Sequence, residues 1–257
     1  MVSMTNMKAI LMSGDPVAEL RALGVDGLRS MEPAVANLKM EIPKGYHHKD
    51  NLEHSLLVLG NAVSMEDKPD LVLRTAALLH DIGKPATREF GKNGKVTFHM
   101  HEMVGAKMST SILRKHDYDS EDSMIIRKLI SLHMRSHGFD TAKWNDSAVR
   151  RLMTDAMNWE TLERLAIVFK SDCTTKNASN RKNRVRNVDS LMSFAEEVKA
   201  KDDRNAMRPA LDGNDVMQIT GLSQGRELGL IMKYLNSDDG IALSRDEAIA
   251  YVTSQMP

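Results

Sequence analysis

From Asp70 to Asp81 the chain reads Asp-Leu-Val-Leu-Arg-Thr-Ala-Ala-Leu-Leu-His-Asp, and its apolar positions recur three and four apart, the spacing of one helix face. The same spacing predicts helices at roughly 50–65, 101–116, 121–135, 145–156, 159–175 and 180–201, then shorter ones near 213–219, 224–236 and 244–254. Residues 15–42 read as two short helices punctuated by Pro16, Pro33 and Pro43. Asp50 is placed to cap the helix that follows it, and Gly83 and Pro85 stop the helix begun at Asp70. The helical period breaks at 86–99, where Gly91 and Gly94 flank Lys92-Asn93 and Val96 alternates with Phe98, so an irregular hairpin is expected. The pattern predicts an all-α fold: a helical bundle with a small helical C-terminal extension. Its expected parts are an N-terminal helical segment at 1–44, a main domain at 45–200 and a tail at 201–257, with the charged stretch Lys199 to Pro209 as the boundary.

Composition sharpens this picture. Of 257 residues, 42% are hydrophobic and only 4% aromatic, which suits helix packing better than strand packing. The 19 methionines read as gap-fillers of a helical core. Lys+Arg and Asp+Glu both number 35, so overall charge argues neither for nor against nucleic acid. Cys173 has no partner within the chain, which points to a reducing compartment and a cytoplasmic setting. The first residues lack a signal-peptide pattern, and the best apolar run, Leu71 to Leu79, is broken by Arg74, so no membrane association is expected.

The polar residues on the apolar stripes carry the chemistry. His80 shares a face with Leu73 and Ala77, His133 with Ile126 and Leu129 or Ile130, and Asp172 with Leu162, Leu165 and Phe169. His54 precedes Val58, and His101 leads Val104 and Met108. A single histidine on an apolar face is ordinarily a hydrogen-bonded core residue. Five such residues on five helices, with Asp81 beside His80, point instead to convergence on a cation, since buried imidazoles and carboxylates are costly unless paired or bound. Imidazoles with a few carboxylates suit a divalent transition metal: Mn, Fe, Co, Ni or Zn, with Mg possible. One ion would use His54, His80, Asp81 and Asp172. His101 and His133 provide for a second, with Asp81 bridging two ions about 3.5–4 Å apart. His80, Asp81 and Lys84 are the expected catalytic group.

Lys84, in His80-Asp-Ile-Gly-Lys84, is placed to reach a phosphate oxygen, with Gly83 permitting a tight turn. Arg88 and Arg135 are further phosphate candidates. His137 is a substrate-binding candidate, and His99 and His137 flank the ligand helices as second-layer or proton-donating groups. His47 and His48 are candidates to face substrate. Thr174 to Val188 carries Lys176, Arg181, Lys182, Arg184 and Arg186 and no acidic residue. Following directly on Asp172, it suggests a polyanionic substrate, with Lys176 and Arg181 as contacts. Cys173 reads as a buried structural thiol. Neither a phosphate-binding GxxxxGK[ST] loop nor a GxSxG elbow occurs.

At this level of detail the sequence resembles a known family. Gly45-Tyr-His-His-Lys-Asp-Asn-Leu-Glu-His54, Ala76-Ala-Leu-Leu-His-Asp-Ile-Gly-Lys-Pro-Ala-Thr87, Phe98-His-Met-His-Glu-Met-Val-Gly-Ala106 and Trp144-Asn-Asp-Ser-Ala-Val-Arg-Arg151 look like the HD domain of bacterial CCA-adding tRNA nucleotidyltransferases and their poly(A)-polymerase-like relatives. Arg208 to Met217 and Gly221 to Gly225 look like their tail. The likeness runs from about Leu28 to Val252. It implies that 45–200 is an HD-type metal-dependent phosphohydrolase domain, with metal held by His54, His80, Asp81 and Asp172. The family's nucleotidyltransferase head, with its Gly-rich motif and paired aspartates, has no counterpart in the residues before Gly45. Nucleotide addition by this chain alone is therefore not expected. Two readings follow. One is a phosphohydrolase or phosphodiesterase that uses a metal-activated water on nucleotides, cyclic nucleotides or RNA 3′ ends. The other is a non-catalytic tRNA- or RNA-binding module derived from, or partnering, a CCA-adding enzyme.

Overall fold

Most helices of this protein begin on a short polar side chain that takes up backbone N–H groups the helix itself leaves free. The computed structural model describes residues 6–46, 49–138, 144–206 and 208–255. The first helices are α1 (Met7–Leu11), α2 (Pro16–Met31), α3 (Pro33–Ala36), α4 (Asn51–Met65) and α5 (Leu71–Leu79). A hairpin of β1 (Arg88–Phe90) and β2 (Val96–Phe98) follows, antiparallel, with Arg88 opposite Phe98 and Phe90 opposite Val96. Then come α6 (His101–Lys115), α7 (Ser120–Leu132), α8 (Asp146–Ala156), α9 (Trp159–Ser171) and α10 (Ala178–Ala206). Asp50 accepts from the N–H groups of Leu52 and Glu53, as its sequence position predicts, and Asp70, Asp119, Asn145 and Asn158 cap α5, α7, α8 and α9 alike.

Two compact units divide between Glu196 and Glu197. In the first, α5 is the central element. Leu73, Ala76, Ala77, Leu78, Leu79 and the following Ile82 are all fully buried, and α5 packs against α4, α7 and α9 while α7 packs against α6. A helix apolar all round must be surrounded. Its C-terminal end therefore opens into the middle of the bundle, not onto solvent. In the second unit α11 (Gly213–Thr220), α12 (Arg226–Leu235), α13 (Asp238–Ile241) and α14 (Arg245–Ser254) enclose Leu211, Val216, Leu235, Ala248 and Val252. Reciprocal capping boxes, Asp212 with Asp215 and Ser244 with Glu247, start α11 and α14.

The structure departs from the sequence expectation in four places. Residues 15–42 hold three short helical pieces, not two: α2 is two helices joined at Gly24, whose φ of 61° breaks the helix, and the short α3 follows. The helix expected at 180–201 runs on into the Lys199 to Pro209 stretch. α10 continues to Ala206, helped by Lys199 reaching Asp203 four residues on at 2.6 Å. The helices expected to reach Asp81, Arg135 and residue 175 end at Leu79, Leu132 and Ser171. α1 and α13 were not expected, being too short to show a period.

Arg74, which interrupts the apolar run of α5, is 4% exposed. Its Nε donates to Glu66 Oε1 at 2.8 Å and its Nη1 to the carbonyls of Leu11 at 2.6 Å and Ser13 at 3.2 Å. A buried guanidinium is tolerated only when its donors are used, and here they fasten the end of α1 to the core. Arg74→Ala leaves Glu66 buried without its cation, so denaturant titration is expected to show a loss of about 3–5 kcal/mol.

Glu32 is a second buried charge. Its Oε1 caps α3 through the Ala34 N–H at 3.2 Å, and its Oε2 accepts from Lys115 and His116, each at 3.2 Å. Burial pushes its pKa up, but the bonds from His116, Ala34 and Lys115 outweigh burial and hold it below the usual glutamate value. A depressed carboxylate stabilises the fold above its unfolded pKa, and that contribution disappears as pH falls through the folded one. Stability is expected to fall on acidification below about pH 4.5, and a Glu32→Gln variant should lack this part of the slope while being less stable at pH 7.

Candidate metal centre

Three helices end on a ligand-type side chain and two carry one in their first turn. His80, His133 and Asp172 are the C-caps of α5, α7 and α9; His101 opens α6, and His54 lies in the first turn of α4. Packing around α5 brings all of them to Asp81. Asp81 Oδ2 lies 3.4 Å from His54 Nε2 and 3.2 Å from His80 Nε2, while Oδ1 lies 3.2 Å from His101 Nε2 and 3.8 Å from His133 Nε2. Asp172 Oδ1 joins the first pair, 3.0 Å from His54 Nε2 and 3.8 Å from His80 Nε2. His80, Asp81 and His133 are each 1% exposed.

The outer ring nitrogens fix the tautomers. His80 Nδ1 lies 2.9 Å from the Ala77 carbonyl, His101 Nδ1 2.8 Å from that of Phe98, and His133 Nδ1 2.7 Å from that of Ile130. A carbonyl only accepts, so each Nδ1 donates, and Nε2 is an acceptor in the neutral ring and a donor toward Asp81 in the charged one. His54 Nδ1 meets Thr174 Oγ1 at 3.2 Å. The inner nitrogens then face one another, His54 to His80 at 3.3 Å and His101 to His133 at 3.2 Å. In neutral rings these buried, facing nitrogens are acceptors that repel, so a proton or a metal ion must lie among them. His54, His80 and Asp81 offer ligand atoms all within 4.8 Å of one another, and so do Asp81, His101 and His133. Nitrogen and carboxylate donors with backbone-anchored outer nitrogens fit a divalent transition metal.

Charge states agree with a ligand role. Burial raises the Asp81 pKa, but the His80 charge, the bonds from His101 and His80 and the Lys84 charge hold it well below the usual carboxylate range. For Asp172 burial is likewise outweighed, by the His54 bond and the His80 and His54 charges, and the value is about 2. Burial and the His80 charge push His133 down to about 3, so it stays neutral at physiological pH.

A family model for the HD domain matches residues 51–167. The matched range holds His54, His80, Asp81, His101 and His133 in order and stops before Asp172. Residues 51–167 form an HD domain. HD domains bind divalent metals and make up a superfamily of metal-dependent phosphohydrolases. Among curated proteins, the A-adding tRNA nucleotidyltransferase of Deinococcus radiodurans is 28% identical over 235 residues, 89% of this chain and 52% of that protein. The CC-adding tRNA nucleotidyltransferase of Thermus thermophilus is 28% identical over 211 residues, 81% of this chain and 45% of that protein. The chain spans about half the length of the curated relatives it matches. Among the described residues no helix is long and apolar enough to cross a membrane.

The HD site opens into a cleft of about 300 Å³, bordered by His54, Asp81, His101, His133 and Asp172 and also by Lys84. Lys84 Nζ donates to Asp81 Oδ2 at 2.6 Å and lies over the Phe98 ring at 5.6 Å. The other predicted contacts sit elsewhere. Arg88 donates to the Glu41 carbonyl at 2.8 Å and stacks on Phe90, and Arg135 pairs with Asp155 at 2.8 Å on the surface. Neither is among the described residues bordering the cleft, nor are the exposed Lys176 and Arg181. His99 is exposed. His47 and His48, and the side chain of His137, lie outside the described residues. Cys173 is buried, with Sγ 3.3 Å from the Phe169 carbonyl, and burial and the Asp172 charge raise its thiol.

Lys49 and Asn51 border the cleft and were not selected from the sequence, and Arg184, named there within the basic run, borders it as well. Asn51 is 3% exposed and its Nδ2 has no hydrogen-bond partner. Its position three residues before His54, on the same helix face, was the available signal. The role of Gly83 also differs from the expectation. A Cβ there would stand 2.2 Å from the His101 carbonyl oxygen and 2.6 Å from Gly105 N. Gly83 thus lets the turn carrying His80-Asp81 lie against the start of α6, where Met100 takes a left-handed φ of 60° just before His101. Gly83→Ala must push α6 away. It is expected to lose about 1–3 kcal/mol of stability in denaturant titration and to retain less metal by elemental analysis, because His101 and His133 retreat from Asp81.

Proposed function

We propose that this chain is a metal-dependent phosphohydrolase or phosphodiesterase acting on phosphate esters of nucleotides, on cyclic nucleotides or on RNA 3′ ends. One observation carries the reading: a buried, anionic Asp81 turns one oxygen to His54 and His80 and the other to His101 and His133. His54, His80, Asp81 and Asp172 would hold one ion, and Asp81, His101 and His133 a second, from the group Mn, Fe, Co, Ni, Zn or Mg. A metal so held supplies Lewis acidity and a water activated for attack on phosphorus.

The remaining work belongs to the chain's own side chains. Lys84, already 2.6 Å from Asp81, brings a positive charge to the place where a phosphate would enter. The buried, unpartnered Nδ2 of Asn51 is a donor for a phosphate or ribose oxygen. Asp172 holds the His54 ring at 3.0 Å and keeps its inner nitrogen aimed at Asp81. The tRNA-directed names of the relatives favour an RNA terminus among these substrates, and a cytoplasmic setting is part of the same proposal. A second reading, an RNA-binding module without hydrolysis, draws on the exposed cations Lys176, Arg181, Lys182 and Arg186.

The test is a metal-by-substrate screen of the purified chain over 2′,3′-cyclic nucleotides, mononucleotides and short RNAs with Mn, Ni or Co. Hydrolysis is expected with at least one pair, and Asp81→Asn should lower it by about 100-fold or more, roughly 2.7 kcal/mol of barrier. Equal turnover by both proteins would sink the metal-centre mechanism. Binding of tRNA that Asp81→Asn leaves intact, with no hydrolysis of any substrate, selects the second reading.

A further inference from the structure

A second cavity, of about 200 Å³, lies beside the metal cleft and shares Asp172 and Arg184 with it. Its walls have a different character. Phe169, Val188 and Leu191 form an apolar side, and Ser136 and Asn187 offer uncharged polar groups. Val188, Leu191 and Ala195 are a buried stripe of α10, at steps of three and four. Carried back toward the helix start, the same stripe arrives at Arg184. The stripe that packs into the core therefore ends in a cation at the boundary between the two cavities. Arg184 is exposed, so its guanidinium is open to a ligand. Arg184 belongs to the basic run from Lys176 to Arg186, and among the described residues of that run it is the cation that borders both cavities.

We infer that the second cavity is a nucleoside subsite, and that the preferred ligand is a dinucleotide or longer strand end, not a mononucleotide. The inference rests on the phosphate being processed at the metal centre, and it names the substrate class of that site. The terminal phosphate lies in the metal cleft by Lys84. Arg184 takes the linking phosphodiester, as a guanidinium does with its planar fork of donors. The next nucleoside enters the second cavity, its base against Phe169 and Leu191 and its polar edge toward Ser136 and Asn187. A second phosphate group alone would not use this space. Arg184 is the one cation among the described residues lining the cavity, and it stands at the shared boundary, while one wall is apolar. The charge of a bare phosphate belongs at that boundary and a flat, weakly polar ring belongs beyond it.

Isothermal titration of the full chain loaded with Mn provides the test. The probes are a 3′-phosphorylated dinucleotide, the corresponding 3′-mononucleotide and the nucleoside 3′,5′-bisphosphate, all as phosphorothioates to slow turnover. The dinucleotide is expected to bind at least about tenfold more tightly than either of the others. Arg184→Ala and, independently, Asn187→Trp, which places a ring in the second cavity, should each bring the three affinities within about threefold of one another. Equal affinities in the unaltered chain, a bisphosphate as tight as the dinucleotide, or a preference that survives both substitutions would overturn the inference. Asp81-dependent hydrolysis without a dinucleotide preference removes the subsite and leaves the phosphohydrolase reading standing. A dinucleotide preference without hydrolysis does the reverse.

Discussion

A carboxylate sealed from water with histidines on both sides is the constraint on which the rest of this structure depends. Asp81 is 1% exposed and anionic, and burying such a charge is unfavourable by several kcal/mol unless its lone pairs are met. His54, His80 and Lys84 address one oxygen; His101 and His133 address the other. Each requires a different stretch of chain to arrive at one point. The bundle is built accordingly, with α5 wrapped by α4, α7 and α9, and α6 held close by the Gly83 contact. Remove the convergence and the core would contain an unmet anion.

Rigidity follows from the same arrangement. Three of the four histidines are tied through Nδ1 to a carbonyl three residues back in their own chain. Such short-range bonds set ring orientation before tertiary packing sets position, so the inner nitrogens are presented ready-aligned. Two of these histidines and Asp172 sit at helix C-caps, where the chain is about to turn and a side chain can leave the helix face. Packing of apolar stripes therefore delivers the polar residues that terminate them to a common centre.

The sequence alone supported much of this. The periods of α4 to α10 and of α11, α12 and α14 were legible because their apolar stripes are long, and Asp50 was recognisable as a cap because that position asks for a short acceptor. His54, His80, Asp81, His101, His133 and Asp172 stood out because polar residues on apolar faces are expensive, and the structure brings all six together. Arg88 and Arg135 were chosen for charge and nearness in sequence. Such a guess fails when a side chain finds a nearer acceptor, as these did in the Glu41 carbonyl and Asp155.

Periodicity and residue chemistry thus determined the helical architecture and which ligand-type side chains gather at Asp81, since both are properties of local order along the chain. Tertiary structure decided what depends on distances between segments far apart in sequence. It divided the ligand-type side chains into two groups on opposite oxygens of Asp81, left Asn51 Nδ2 buried without a partner, made Gly83 necessary for a contact instead of a turn, and set Arg184 between two cavities. A linear pattern records which face a residue occupies. It does not record what stands opposite that face, and the chemistry of this site is made of such opposing pairs.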